Sequence, residues 1–470
     1  MSRRGSAHPS IADRIADWAA GLTLDGVPSP AIETAKRCLV DVCGVAAAGS
    51  AAPVAQSARG YSQANFAAGP CFAFAAERRL AAPGAAFVNA ATAHALDYDD
   101  TCYVGMTHPS AVVFPAAVAA AEAAGASGRD LLAGFVAGVE AEAALGGALG
   151  LRFYEKGWFC TAALGTVGAA TAAARARALD PETTRQAVRL AAVQMLGLRA
   201  VLGTTAKPLT AGRASEIGVS AVELAMRGAE GPADALEGPA GVIRTANDGE
   251  ADLAALEALG QDFVLERPGI AFKLYPVCSA AQPAAELTGE LLDALQANGA
   301  AVRSVLCEVT PFVESCLLYH VPASVTEMQF SLPFAVACVL THGTIAVGHL
   351  NLATLQDPGV GAALPKVEMR RSEALANNPE TRDRYPEAAI VTVTLEDGRS
   401  LQRTKMAATG MPDVPLGDAA LDRKFLDCAM TLLPEAAARD WLACIRGVED
   451  LTAISEIFTA VDGAMPAVRP

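Results

Sequence analysis

From Ser10 to about Gly228 the apolar positions recur at three- and four-residue spacing between start and stop signals, which predicts helix after helix. Ser29-Pro30 supplies a cap and a first-turn proline ahead of a helix over 31–45. Ser127-x-x-Asp130 resembles a capping box, and Asp180-Pro181-Glu182 opens another helix. The stretches 133–149 and 165–178 are built largely from Ala and Gly, so their helices can approach closely. Such faces suit either a compact bundle or a subunit interface. Near 265–276 the texture changes: Glu266-Arg267-Pro268-Gly269 punctuates, and strand patterns appear at 304–313, 366–369 and 389–395. The last runs through Glu396-Asp397-Gly398-Arg399 into 401–404, a hairpin signal. Helical patterns at 282–295 and 332–340 lie between the strands, and helix returns from 418 to 458. The pattern predicts a mainly α chain: helices over 1–265, an α+β insertion over 266–405, and helices over 406–470 that rejoin the first part.

Composition agrees with a two-domain globular protein, since 52% of the 470 residues are hydrophobic and 19% charged. The net charge of −15 argues against nucleic-acid or anionic-membrane partners, because both require basic surface. It leaves room for a small anionic substrate held by a few local cations. The eleven cysteines are scattered, without a Cys-x-x-Cys pair or zinc spacing, as expected of reduced thiols in the cytoplasm. The N-terminal Met-Ser-Arg-Arg-Gly-Ser-Ala-His-Pro-Ser has no apolar run, so no leader is expected. Mean hydropathy is positive, but Ala and Gly carry it and no continuous apolar span appears, so a soluble protein is expected.

Residues 94–110 interrupt this bland texture with three carboxylates (Asp97, Asp99, Asp100), two of the chain's six histidines (His94, His108) and the hydroxyls of Thr101, Thr107 and Ser110. One reading is a solvated helix end, with His108 merely preceding a helix at Pro109. The other is a substrate site in which His108 acts as acid or base, its ordinary pKa of about 6.5 lying near neutrality. Crowded carboxylates raise one another's pKa unless cations compensate, and only seven lysines are available in the chain. Lys207 precedes Pro208, which biases it onto a loop leading into a helix, where a cation suits carboxylate capture. Lys273 lies in the apolar run Phe272-Lys273-Leu274-Tyr275-Pro276 at the domain junction, and Tyr319-His320 reads as a strand-end pair. These pieces suggest an enzyme that removes a proton next to a carboxylate and uses cations to hold the anion.

Taken in order, Asn89 through Thr101 with His108-Pro109-Ser110, Gly157-Trp158, 164–170, 207–212, Lys273 through Pro276 and 329–335 resemble the MmgE/PrpD family over most of the chain. The resemblance implies a large all-helical domain built from both chain ends, a smaller α+β lid domain, an active site between them and a homodimer. It implies no metal and no organic cofactor. Its site positions fall on Asp97, Thr101, His108, Lys207, Lys273 and Tyr319. The implied chemistry is proton abstraction alpha to a carboxylate of a di- or tricarboxylic acid, followed by dehydration, decarboxylation or epimerisation.

Two departures stand out. Dehydratase and decarboxylase members commonly carry a histidine where this chain has Phe159, in Gly157-Trp158-Phe159-Cys160-Thr161, and the decarboxylases a second one where it has Cys278. Phe159 makes that wall less polar, and Phe159 and Cys160 become candidate substrate contacts. Cys278, with Cys160, is a candidate proton carrier: a thiol beside Lys207 or Lys273 is expected to have a depressed pKa. The alternative is that both thiols are buried fillers. The leading expectation is a cofactor-independent lyase. Its alternatives are an epimerase, isomerase or cyclase-type proton-transfer enzyme with a divergent site, and a carboxylate-binding protein without chemistry.

Overall fold

Helix boundaries follow the local chemistry of the chain. In the computed structural model, which describes residues 9–464, Ser10 and Asp13 close a capping box on the helix Ile11–Gly21, and Ser127 and Asp130 close another on Gly128–Glu155. Asp180 caps Pro181–Ala192 by accepting the N–H groups of Glu182 and Thr183. The helix expected over 31–45 runs from Ser29 to Gly49. The N-terminal stretch read for a leader lies mostly outside the described residues.

The Ala/Gly faces pack in the interior. Cys160–Ala176 lies along Gly128–Glu155 and is flanked by Pro109–Ala124 and Ala206–Ala225. A Cβ at Gly138 would stand 2.6 Å from the Gly168 carbonyl oxygen, so a larger residue there would force the two helices apart. Gly128–Glu155 is long and apolar enough to cross a membrane by composition alone, yet 89% of its apolar window is buried among neighbouring elements. Its Glu140 accepts the N–H groups of Val264 and Leu265 at 2.8 and 3.0 Å, which pins the exit of the helical region to its centre.

The two ends of the chain meet in one apolar cluster. Leu39 and Val42 of Ser29–Gly49 share it with Leu421, Phe425 and Trp441 of the helices Asp418–Ala429 and Glu435–Arg446, and Phe458 stacks on Phe72 at 4.1 Å. Burying Trp441, Phe425 and Phe458 contributes roughly 1.5–3 kcal/mol each. The helical pattern expected through 458 is interrupted, ending as short turns at Val448–Asp450 and Ile454–Phe458.

Between the ends lies a four-stranded sheet ordered Val367–Arg371, Val302–Val309, Ala389–Leu395, Ser400–Lys405. The first pair is parallel and the others antiparallel, with Val305 opposite both Val367 and Val393. Ala389, Val391, Val393 and Leu395 alternate inward, and the sheet is backed by the helices Gln282–Leu295 and Leu332–His342. The strand expected over 304–313 stops at Val309. Thr310 instead caps a helix, Pro311–Cys316, because Pro311 has no N–H for a ladder and suits a first helical turn.

Candidate active site

Leaving the helix Ala82–Ala93, the chain enters a turn in which Asp97 adopts φ 50°, the left-handed region that Asp tolerates better than most residues. The turn sends two groups of Asp97 to different lysines: its carboxylate meets Lys207 at 2.6 Å, and its backbone carbonyl accepts from Lys273 at 2.7 Å. Thr101 then pairs with Ala271 through two backbone bonds of 2.9 Å, which fastens this turn to the segment that carries Lys273. Gln329 adds a third tie, donating to the Ala95 carbonyl at 3.0 Å. Asp97, Asp99 and Asp100 are all buried, so they are not a solvated helix end.

Each charge here has a partner. Lys207 also reaches Nε2 of His94 at 2.5 Å, and Nδ1 of His94 faces Asp99 at 2.8 Å. His94 therefore donates from Nδ1 to the carboxylate and accepts the lysine's proton at Nε2. Burial pushes the Asp97 carboxyl up, but Lys207 and Lys273 outweigh it and hold the group well below the usual carboxylate range. Asp99 is lowered too, as His94 and His108 overcome its burial. Asp100 goes the other way, to about 7: burial dominates, and its partners are the N–H and hydroxyl of Ser110. Burial thus raises one of the three aspartates more than crowding does, and the partners around Asp97 and Asp99 lower the other two.

His108 sits one residue before the helix Pro109–Ala124, its backbone N–H donating to the Thr161 hydroxyl at 3.1 Å. Its Nδ1 lies 2.7 Å from the Asp100 carbonyl oxygen and 3.4 Å from the Thr101 hydroxyl. A carbonyl only accepts, so Nδ1 carries the proton and Nε2 keeps a bare lone pair, 3.9 Å from the Asp97 carboxylate. Burial pushes the His108 pKa well below its ordinary value, and Lys273 and Lys207 push it further. At neutral pH this imidazole is uncharged and basic at Nε2.

The cleft in front of His108 encloses about 550 Å³, open solvent at its mouth included. Asp97, Thr101, His108 and Lys207 form one side, and Phe159, Phe330, Phe312, Tyr154, Arg199 and Cys278 line the rest, with Glu387 and Tyr103. Phe159 stacks on His94 at 6.0 Å, and the Lys207 ammonium lies 5.4 Å from the Phe159 ring and 5.5 Å from Phe330. The ammonium is therefore screened from water by aromatic faces as well as by its partners.

Several expectations change at this point. Lys207 is not on a loop: it stands in the first turn of Ala206–Ala225, where Pro208 is also accommodated. Lys273 lies behind Asp97, in a small side cavity with Ala271 and Gln282, and does not face the main cleft. Cys278 lines the cleft, but its thiol is not depressed: burial, then Asp97 and Cys316, push it well above its usual value, outweighing Lys273. Cys160 is buried outside the cleft lining, its thiol pushed up to about 12 by burial. Tyr319 also lies outside that lining; its hydroxyl donates to the Leu202 carbonyl at 3.2 Å, and its ring covers Gly203, where any Cβ would collide with it.

The structure adds residues that the sequence pattern did not single out. Glu387 accepts from Tyr103 at 2.7 Å on the floor of the cleft, its carboxyl raised by burial. Arg199 and Tyr154 stand at the mouth, with the guanidinium 4.7 Å from the ring. An isolated Glu after Pro386 and an Arg in a Gly-Leu-Arg-Ala stretch carry no local signal of their placement. One ligand atom each from His94, Asp97 and His108 lie within 4.8 Å of one another, a spacing that a metal ion accepts. The ammonium of Lys207 already bridges His94 and Asp97, so an ion would have to displace it.

Sequence comparison decides the family. The profile of the MmgE/PrpD N-terminal domain matches residues 13–253, and that of the C-terminal domain matches 275–450. The chain belongs to the MmgE/PrpD family. Among family members it is similar to the cis-aconitate decarboxylase of Homo sapiens, with 27% identity over 97% of this chain and 95% of the relative. The Mus musculus protein of the same name is 27% identical over 98% and 94%, and that of Aspergillus terreus 25% over 97% of each. As an MmgE/PrpD protein, this chain sets the Asp97–Lys207–His108 cluster at the floor of its cleft against a wall carrying Phe159 and Cys278.

Proposed function

We propose that the chain is a cofactor-independent lyase that handles a proton beside a carboxylate of a small di- or tricarboxylic acid, with Nε2 of His108 as the base. Its relatives named cis-aconitate decarboxylase indicate a lyase, and they support decarboxylase or dehydratase chemistry in general terms. One observation carries the reading: Nδ1 of His108 is committed to the Asp100 carbonyl, which leaves a bare, uncharged Nε2 facing the cleft beside Lys207 and Asp97. In a dehydration, Nε2 takes the alpha proton and the C–H electron pair moves onto the carboxylate. The β-hydroxide then leaves as the double bond forms. In a decarboxylation, the C–C pair stays on the substrate as carbon dioxide departs, and the carbanion takes a proton from water, since the uncharged His108 has none at Nε2 to give. Lys207 stabilises the anion in either case, Lys273 holds Asp97 from behind, and Thr101 helps to orient His108.

The test uses the full chain with cis-aconitate and a panel of citrate-type acids in deuterated water, followed by NMR. Deuterium incorporation, elimination or carbon dioxide release that disappears in His108→Gln is expected. A folded wild-type protein inert toward the whole panel would sink the reading, and inert but tight binding would favour a carboxylate-binding protein. A second reading, an epimerase or isomerase, has its own observation: Cys278 lines the same cleft as a protonated thiol able to return a proton. Exchange without net elimination, lost in Cys278→Ala, would select it. The reading also carries a cytoplasmic homodimer in which residues 266–405 act as a lid, which sedimentation of the purified protein tests in part.

A further inference from the structure

The cleft continues outward into a second chamber of about 950 Å³, open solvent included. Only Tyr154, Phe312 and Arg199 line both spaces, so they form the neck between them. The position of Arg199 is fixed by its backbone: Trp158 bridges to Leu198, and the Arg199 N–H donates to the Gly157 carbonyl at 2.8 Å. Its guanidinium lies over the Tyr154 ring and is partly buried. Among the described residues it forms no ion pair with a carboxylate and donates no side-chain hydrogen bond.

That distinguishes it from the other cations of the site. Lys207 is matched by Asp97 at 2.6 Å and Lys273 by the Asp97 carbonyl at 2.7 Å. A guanidinium brings five N–H donors in a planar fork that matches a carboxylate, and partial burial against an aromatic ring makes leaving them unused costly. We infer that Arg199 binds a second carboxylate of the di- or tricarboxylic substrate at the neck, with one carboxylate beside His108 and Lys207 and the other beside Tyr154. Any remaining substituent enters the outer chamber, where Leu151, Pro311 and Leu375 line the space together with Glu155 and Arg382. This rests on the proposed proton-transfer site, which holds the first carboxylate.

Titration calorimetry on the full chain with tricarballylate and with butyrate, a polycarboxylate and a monocarboxylate, tests the subsite. Arg199→Gln is expected to weaken tricarballylate by about 10- to 100-fold, the loss of a charge-assisted pair. Butyrate should change less than about twofold, because it can sit beside Lys207 alone. Arg199→Lys, which keeps the charge but not the fork, should fall between and provides the test if the Gln variant does not fold. Tricarballylate binding in Arg199→Gln within about twofold of wild type, or a wild type that binds it no better than butyrate, would overturn the inference. The two proposals fail separately. Turnover by His108 with Arg199-independent binding removes the subsite alone. Arg199-dependent binding in a protein that neither exchanges nor eliminates removes the proton-transfer reading and leaves the subsite.

Discussion

The two sides of the cleft differ in how far they satisfy themselves. On one, Asp97, Asp99, His94, Lys207 and Lys273 form a network in which each charge meets an opposite charge or a hydrogen-bonding group within 2.5 to 2.8 Å, and one oxygen each of Asp97 and Asp99 is left without a hydrogen-bond donor. On the other, Phe312, Cys278 and Arg199 offer an aromatic face, a neutral thiol and a cation that, among the described residues, pairs with no carboxylate. The difference teaches where each kind of work is done. A network whose charges are already matched without ligand holds its reacting group in one place and one protonation state, which is what a base requires. A side left unsatisfied is completed only when a ligand of matching shape and charge arrives.

Breaking the charge-matched side should have the largest effect. His108→Gln should lower kcat/KM by about 100- to 10,000-fold, because the base at Nε2 is lost, while loss of the Nδ1 bond to the Asp100 carbonyl should cost only about 0.5–1.5 kcal/mol of stability. A near-normal rate in that variant would move the chemistry to the opposite side. Lys207→Met leaves the Asp97 carboxylate buried beside a vacated partner and should cost about 3–5 kcal/mol of stability in denaturant unfolding. Adding Asp97→Asn should recover part of that loss. Equal stability of Lys207→Met and wild type would mean that the charges are not matched.

Acidity gives a third, intermediate test. The unfolded imidazole titrates near 6.5 and the folded His108 lower, so the folded state binds this proton less readily. The stability contributed by His108 is therefore present above pH 6.5 and lost as pH falls toward its folded value. The acid limb of kcat/KM should likewise lie below pH 6.5. Because Lys273 is the largest charge pushing His108 down, Lys273→Met should move that limb upward. A limb at or above 6.5 in wild type, or one unmoved in the variant, would contradict the assignment. The smallest effect is expected across the cleft: Cys278→Ala should hold turnover within about threefold, under ~1 kcal/mol on the barrier, if the lyase reading is right. A large loss there would instead favour the two-carrier epimerase.

Much of this was legible before any coordinates. Capping residues such as Ser10, Ser127 and Asp180 announced their helices, and the alternation through 389–395 announced its strand, because these signals depend on neighbours a few residues away. The acidic segment at 94–110 and Lys207 likewise declared themselves as ionisable groups in Ala-rich surroundings. The meeting of Lys207 and Lys273 with the acidic segment followed the motifs, whereas the details that depend on surroundings distant in sequence did not. Lys207 entered a helix despite Pro208, since a proline is tolerated in the first turn. The expected depression of the Cys278 thiol required Lys273 to dominate, but burial and Asp97 outweigh it. Tyr319 and Cys160 carried motif positions yet turned away from the cleft, one onto Gly203 and the other into the core. Glu387 and Arg199 had no motif at all.

The sequence by itself determined the family, the mainly helical architecture with its α+β portion, and the titratable groups available near the site. These follow from periodicity, caps and residue identity, all readable along one dimension. The tertiary structure alone decided which nitrogen of His108 is bare, which of three aspartates has its carboxyl raised to about 7, and that Arg199, among the described residues, pairs with no carboxylate. Protonation and pairing are set by burial and by distances of a few ångströms between residues as far apart as Asp97 and Lys273, and no local pattern encodes those distances.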